Sequence, residues 1–302
     1  MQSILSLIRW KNLLMIALVQ LLIKYALLEP FGAIITLNGF GFSLLVLATV
    51  CIAASGYIIN DIYDQETDAI NKPKQQIIGK SISEKTAYNY FIGFNVIGVL
   101  LGFYISNMVG RSGFFALFVL TSGLLYIYAT YLKQIPIVGT VIISFLVALS
   151  LIIVGLFELL PAITSRNQEL QLFYFEIILA YALFAFLINF IRELIKDLED
   201  IDGDYKAGIK TLPIVLGRER TNFIVFFLTF IPLFAIIFYV TTNMYKNLFI
   251  VGYFLLLVIA PLILALIWIF QAKLKKDYHA ISTLLKVIML FGMLSMVLYQ
   301  YI

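Results

Sequence analysis

Nine apolar segments, each about as long as the hydrocarbon layer of a bilayer is thick, dominate this sequence. A helix that crosses a membrane needs about 20 consecutive, mostly apolar residues. The segments lie at about 12–29, 41–60, 86–106, 112–131, 136–157, 171–191, 221–241, 247–270 and 281–302. Only 13% of the 302 residues are charged, against about a quarter in a soluble domain. The sequence therefore predicts an all-α integral membrane bundle of nine transmembrane helices, formed as one domain over residues 1–302.

The segments between the spans alternate between basic and nearly uncharged, which indicates how the chain is oriented. The N-terminus and the segments after even-numbered spans hold sixteen Lys and Arg residues, whereas those after odd-numbered spans hold three. Basic loops stay on the cytoplasmic side of a membrane. We therefore expect a multi-pass protein of the inner (cell) membrane, with a cytoplasmic N-terminus and an external C-terminus. A short interfacial helix is expected over residues 3–11, and no basic run suggests nucleic-acid binding.

Two acidic clusters with one shared spacing follow spans 2 and 6. The first runs Asn60-Asp61-Ile-Tyr-Asp64-Gln-Glu-Thr-Asp68, and the second runs Lys196-Asp197-Leu-Glu-Asp200-Ile-Asp-Gly-Asp204. Both read D-x-x-D-x-x-x-D. At 100° per residue, the three positions lie within about 60° of arc on a helix, so each set of carboxylates is predicted to share one face. Crowded like charges at a membrane surface are unfavourable, and a cation is expected to compensate them.

The donor chemistry of the clusters favours Mg²⁺. Carboxylate oxygens are hard ligands, and Mg²⁺ is typically held by carboxylates together with substrate phosphates. Neither cluster contains Cys or His, so zinc is not expected. We predict that the six aspartates are both the metal ligands and the catalytic groups, and that the ions bridge a diphosphate. The alternative is a solvated helix end paired with lysines, but repetition at two equivalent helix ends favours the functional interpretation.

At these clusters the chain resembles the UbiA superfamily of intramembrane prenyltransferases. That family has nine helices, with one Asp-rich motif after helix 2 and another after helix 6. The second motif continues into Gly208-Ile-Lys210-Thr211-Leu-Pro213, and there it resembles the digeranylgeranylglyceryl phosphate synthase branch. The resemblance implies Mg²⁺-dependent transfer of a prenyl group, geranylgeranyl in that branch, from its diphosphate to a lipophilic or glycerol-phosphate acceptor. The implied reaction proceeds through an allylic carbocation with loss of pyrophosphate.

The resemblance also implies residues that contact the substrates. Arg9 and Asn12 are similar to the R-x-x-N at the start of the family's helix 1, and Asn71-Lys72-Pro73 matches its N-K-P. Where the family often continues with H-R-P, this chain has Lys74-Gln75-Gln76. The predicted substrate-binding residues are Asn12, Asn60, Lys72, Lys74, Tyr128, Lys133, Arg192 and Lys210.

Three other functions are alternatives to this one. An aromatic acceptor of quinone biosynthesis (a hydroxybenzoate, naphthoate or homogentisate) would trap the same cation, so the metal motifs do not separate it. A transporter is disfavoured because the charges gather at one membrane face rather than at the midplane. A CDP-alcohol enzyme would need D-G-x-x-A-R, which neither cluster contains. The only histidine, His279, is expected to be exposed in the loop before span 9, so a histidine general base is not expected.

Overall fold

Long apolar helices make up most of the structure. In the computed structural model, which describes residues 2–73 and 76–301, nine helices are long and apolar enough to cross a membrane. Numbered as spans 1 to 9, they are Trp10–Leu28, Gly39–Tyr63, Glu84–Met108, Ser112–Thr130, Val138–Ala162, Gln168–Lys206, Arg218–Asn243, Leu248–Gln271 and Lys275–Tyr301. Shorter helices are Gln2–Leu7, Gln65–Asn71 and Leu212–Leu216. The described residues contain no β-strand, and the predicted all-α bundle with nine membrane-spanning helices is confirmed for this part of the chain.

Span 6 is much longer than the predicted segment 171–191. Its helix has 39 residues, so it is about 58 Å long and extends well beyond the roughly 30 Å hydrocarbon layer. Leu194, Ile195 and Leu198 are buried on one face of the extension, and this helical spacing keeps the chain helical after the continuous apolar run ends. The helix stops before Gly208, whose φ is +72°. The second acidic cluster is therefore part of the helix and not of a loop.

Two further boundaries differ from the sequence prediction. The expected helix over residues 3–11 ends at Leu7, because Arg9 adopts a left-handed conformation with φ 50° between that helix and span 1. His279 lies inside the helix of span 9, which begins at Lys275. Its side chain is nevertheless 70% exposed, as expected, and Nδ1 lies 2.9 Å from Oε1 of Glu199.

The spans pack into one bundle in which the last span returns to the first. Span 2 packs against spans 1, 3 and 4, while span 6 packs against spans 5, 7 and 9. Spans 7, 8 and 9 pack in succession, and span 9 returns to contact span 1. Spans 2 and 3 approach closely at Gly98, where a Cβ would lie 2.6 Å from Ile52 Cγ1 and 3.1 Å from the carbonyl oxygen of Ala48. Small residues at such crossings let membrane helices pack tightly.

A buried ion pair links spans 1 and 5 at the end of the bundle opposite the acidic clusters. Lys24 Nζ lies 2.8 Å from Oε1 of Glu158, and the two side chains are 1% and 0% exposed. The other carboxylate oxygen of Glu158 accepts a hydrogen bond of 3.0 Å from the backbone N–H of Leu37. The pair therefore ties the connection between spans 1 and 2 to span 5. The sequence shows Lys24 within a span but does not reveal its partner.

Candidate active site

Both acidic clusters line one polar cavity of about 950 Å³ at the end of the bundle where spans 2 and 6 terminate. All six predicted aspartates belong to its lining, together with four of the predicted substrate-binding residues: Asn60, Lys72, Tyr128 and Lys133. The fold thus brings two distant parts of the sequence to one place. We call this space the acidic cavity.

The two clusters reach the acidic cavity through different local structures. The second lies on the continuous helix of span 6, as its spacing predicted. The first does not lie on one helix, because span 2 ends at Tyr63 and a separate helix begins at Gln65. Asp64 forms the junction with φ −97° and ψ 9°, and its carbonyl oxygen accepts a hydrogen bond of 2.9 Å from the Thr67 hydroxyl. The prediction of a single helical face is therefore wrong for the first cluster.

Asn71 holds the two clusters together. Its side-chain amide donates a hydrogen bond of 2.9 Å to the carbonyl oxygen of Asp200 and accepts one of 3.1 Å from the N–H of Gly203. A Cβ at position 203 would lie 2.3 Å from Asn71 Nδ2, so glycine there is required for this contact. The sequence drew attention to Asn71 only as part of the N-K-P match and did not reveal this bridging role.

Three of the six carboxylates are paired with cations. Asp61 Oδ1 lies 2.7 Å from Arg9 Nη2, and Asp64 Oδ1 lies 2.6 Å from Lys133 Nζ. Asp200 Oδ2 lies 2.9 Å from Lys72 Nζ. Burial alone would lower the pKa of Lys72, but the Asp200 carboxylate outweighs it and raises the pKa above its usual value. The three cations come from outside the two clusters, and only the tertiary structure reveals which aspartate each of them contacts.

The remaining three carboxylates leave the acidic cavity with unbalanced negative charge. Within the described residues, Asp68, Asp197 and Asp204 form no ion pair within 4.0 Å. Burial, and then the neighbouring Asp64 carboxylate, raise the pKa of Asp68 to about 6. The Oδ1 atom of Asp200 is buried without a hydrogen-bond partner. A divalent cation would relieve both the repulsion and the unsatisfied oxygen.

The residues fit Mg²⁺ better than a metal held by protein ligands alone. In residues 2–73 and 76–301, no three His, Cys, Asp or Glu side chains converge closely enough to make a preformed metal site. Mg²⁺ needs no such cage, because it commonly takes one or two carboxylates and completes its shell with water and substrate phosphates. Six carboxylates around one open cavity supply suitable oxygen ligands for such an ion.

An apolar cavity of about 240 Å³ lies below the acidic cavity, between spans 1, 2, 4, 5 and 6. Its apolar lining includes Ile16, Ile52, Leu117, Phe118, Leu125 and Ile153. The two cavities share Arg9, Asn60, Tyr128, Glu193 and Lys196 at their boundary. We call it the main apolar cavity. An amphiphile with a charged head and an apolar chain matches the pair of cavities.

The other predicted substrate-binding residues lie elsewhere. Asn12 and Arg192 line the main apolar cavity and not the acidic one. Lys210 is exposed and lines neither cavity, although its neighbours Ile209 and Thr211 line the acidic one, so its substrate-binding role stays a prediction. Lys74 lies outside the described residues. Glu193 was missed, although its carboxylate lies 2.9 Å from Lys196 Nζ at the boundary between the cavities.

A bundle of membrane helices with an acidic cavity above an apolar one defines a membrane protein whose site fits a charged amphiphile. The sequence model of the UbiA prenyltransferase family matches residues 14–299. The chain belongs to this family, and it is an integral, multi-pass membrane prenyltransferase.

Relatives and solved structures agree with this assignment. The chain is 31% identical over 261 residues to digeranylgeranylglyceryl phosphate synthase of Korarchaeum cryptofilum, covering 84% of each chain. It is 29% identical over 300 residues to the enzyme of the same name from Methanococcoides burtonii, covering 98% of this chain and 99% of that one. A solved digeranylgeranylglyceryl phosphate synthase structure superposes with a TM-score of 0.66 at 22% identity, over 99% and 98% of the chains. A UbiA homolog from Archaeoglobus fulgidus, bound to GPP and Mg²⁺, gives 0.60 at 17% identity, over 97% and 99%.

Proposed function

We propose that this prenyltransferase moves a geranylgeranyl group from its diphosphate to a glycerol-phosphate acceptor, with Mg²⁺ as cofactor. The observation that carries the proposal is the junction of the acidic cavity, lined by all six aspartates, with an apolar cavity beneath it. The relatives that bear the name digeranylgeranylglyceryl phosphate synthase support the choice of donor and acceptor. The bound GPP and Mg²⁺ in the Archaeoglobus homolog support the choice of diphosphate and metal.

The charged residues of the site are proposed to bind the diphosphate, and the apolar residues are proposed to bind the prenyl chain. The donor's diphosphate occupies the acidic cavity, where Arg9, Lys72 and Lys133 exchange carboxylate contacts for phosphate contacts. The six aspartates would hold Mg²⁺, whose positive charge would stabilise the pyrophosphate leaving group. Tyr128 belongs to the lining of both cavities, which supports a position for it beside the bond that breaks. The main apolar cavity holds the prenyl chain and keeps water away from it.

The reaction breaks one C–O bond and forms another. The electron pair of the allylic C–O bond leaves with pyrophosphate, and the allylic carbocation is attacked by the hydroxyl oxygen of the acceptor. The hydroxyl proton passes to a carboxylate of the acidic cavity or to water, since the exposed His279 lies outside both cavities. The products are an ether and pyrophosphate.

The decisive test uses purified protein in lipid nanodiscs with Mg²⁺, geranylgeranyl diphosphate and a panel of acceptors. The panel contains geranylgeranylglyceryl phosphate, 4-hydroxybenzoate, a dihydroxynaphthoate and homogentisate. We expect a mass corresponding to the digeranylgeranyl ether, together with stoichiometric pyrophosphate. A prenylated aromatic product would support the aromatic alternative, and no pyrophosphate release with any acceptor would refute transfer from this donor.

We further propose that the acidic cavity faces the cytoplasm at the cell membrane. The excess of basic residues on that side of the bundle supports this orientation. The only native cysteine, Cys51, is buried, so single cysteines introduced at the exposed Lys80 and Lys246 can be labelled selectively. In intact cells, a membrane-impermeant maleimide should label position 246 and not position 80. Labelling of position 80 alone would reverse the orientation.

A further inference from the structure

A second apolar cavity, of about 100 Å³, lies between spans 1, 2, 5, 6 and 9. We call it the span 9 cavity. It shares the polar residues Asn12, Tyr57, Ser150, Asn189 and Arg192 and the apolar residues Ile16 and Val147 with the main apolar cavity. Two apolar spaces therefore meet at one mostly polar wall. The proposed reaction joins two molecules that each carry an apolar chain, so it needs two such spaces.

The span 9 cavity adjoins a further apolar groove. Tyr181, Phe184 and Gly292 border both this cavity and a further apolar groove of about 230 Å³ beside spans 6, 7 and 8. At Gly292 a Cβ would lie 3.1 Å from a ring carbon of Phe184. Glycine at this position avoids a tight contact with the Phe184 ring, and the groove extends the apolar surface of the span 9 cavity towards spans 7 and 8.

Lys286 places a cation in this cavity. It is eleven residues into the helix that begins at Lys275, or about 16 Å along the helix axis, and it belongs to a helix that is long and apolar enough to cross a membrane. Its ammonium group donates a hydrogen bond to Oδ1 of Asn12. In the described part of the chain, no carboxylate lies within 4.0 Å of it. A lysine at this depth without an anionic partner is costly and marks a functional site.

Arg192 provides a second cation on the facing helix. It comes from span 6 and lines the span 9 cavity together with Lys286. Its Nη1 atom lies 3.2 Å from Oε1 of Glu193, while its Nε–H is buried and has no hydrogen-bond partner. A guanidinium group with an unused N–H is suited to a phosphate oxygen. Neither Lys286 nor Arg192 lines the acidic cavity, so neither is positioned for the donor's diphosphate.

We propose that Lys286 and Arg192 bind the phosphate of a single-chain acceptor lipid, whose chain occupies the span 9 cavity. This inference rests on the proposed function, because it assigns the acceptor of that reaction. Two cations and the neutral side chains of Asn12, Tyr57 and Asn189 match a phosphate better than a carboxylate, which carries less charge and fewer acceptor oxygens. The donor then holds its diphosphate in the acidic cavity, and the acceptor holds its phosphate in the span 9 cavity.

A binding experiment without Mg²⁺ or donor tests the site independently of the reaction. The probes are geranylgeranylglyceryl phosphate, its dephosphorylated alcohol and a fatty acid of similar chain length, each titrated into protein in nanodiscs. We expect wild-type protein to bind the phosphate about 10 to 100 times more tightly than the alcohol, the usual worth of hydrogen bonds to charged groups. Lys286→Met should remove this preference, Lys286→Arg should retain it, and Lys246→Met, which loses an exposed lysine, should leave it unchanged.

Kinetics distinguish the acceptor site from the donor site. In Lys286→Met, the KM for the phosphorylated acceptor should rise about 10- to 100-fold, while the KM for geranylgeranyl diphosphate stays within about threefold. If the Met variant does not fold, Lys286→Gln gives the same readout. The inference is overturned if the variant keeps its preference for phosphate, if the donor KM rises equally, or if the fatty acid binds as tightly as the phosphate. Absence of transfer by the wild type would instead defeat the proposed function, and the binding preference would still be measurable.

Discussion

The ammonium group of Lys133 lies 2.6 Å from Oδ1 of Asp64, which joins the turn between spans 4 and 5 to the end of span 2. Both side chains are mostly buried, with exposed fractions of 10% and 20%. The first turn of span 5 packs closely against the backbone of Lys133. A Cβ on Gly139 would lie 2.9 Å from Cα of Lys133, so glycine at position 139 allows this approach. The contact between Lys133 and Asp64 holds a cation at the first acidic cluster, where the diphosphate is proposed to bind.

Replacing Lys133 with Met should therefore impair donor binding and transfer. We expect kcat/KM for geranylgeranyl diphosphate to fall by about 10- to 100-fold, because the variant loses the charged hydrogen bond that Lys133 is proposed to make with the diphosphate. Steady-state kinetics in nanodiscs would measure this, with the exposed Lys85 changed to Met as the matched control. An unchanged kcat/KM would remove Lys133 from the donor site.

Substitution of one aspartate from each cluster tests the metal assignment. Asp64→Ala and Asp200→Ala should each lower transfer by at least about a thousandfold while the protein still inserts, since electrostatic stabilisation of the leaving group is lost. Activity of the wild type should disappear with EDTA and return with Mg²⁺. Asp202→Ala is the control, because that side chain lies on the same helix, is 75% exposed and does not line the acidic cavity. Full activity in either of the first two variants would contradict the assignment.

A bulky residue in the main apolar cavity should shorten the donor that the enzyme accepts. Thr121 on span 4 lines this cavity, whereas the adjacent Leu120 is 68% exposed on the outer face of the bundle. We expect Thr121→Phe to lower kcat/KM for geranylgeranyl diphosphate at least tenfold relative to dimethylallyl diphosphate, as steric conflict in an apolar pocket commonly does. Leu120→Phe should leave the ratio near the wild-type value. Equal ratios in both variants would place the prenyl chain elsewhere.

The Lys24–Glu158 pair should stabilise the fold without taking part in catalysis. Lys24→Met and Glu158→Leu should each lower the free energy of unfolding by about 3 to 5 kcal/mol, because each leaves a buried charge without a partner. The double variant should recover much of that loss, since it removes both charges. Unfolding in mixed micelles would measure all three, with Glu29→Gln as an exposed control. Additive losses in the double variant would show that the two charges do not interact.

The sequence was sufficient for the membrane fold and for the location of the acidic clusters. Hydrophobic length determines which segments can cross a bilayer, and this property is local in the chain. The repeated spacing of aspartates at the ends of spans 2 and 6 is local as well. The boundary of span 6 was missed because an amphipathic extension such as Leu194, Ile195 and Leu198 does not resemble a continuous apolar run.

Tertiary packing decided which charges meet. Arg9, Lys72 and Lys133 each pair with a carboxylate from a distant part of the chain, and nothing in their local sequence names the partner. The sequence likewise placed Arg192 beside the second acidic cluster, whereas packing directs it into the apolar cavities towards Lys286 of span 9. Apolar length is a property of a segment by itself, but ion pairs and cavities depend on how the helices are rotated and which helices become neighbours. That arrangement exists only once the nine spans of the described chain have packed together.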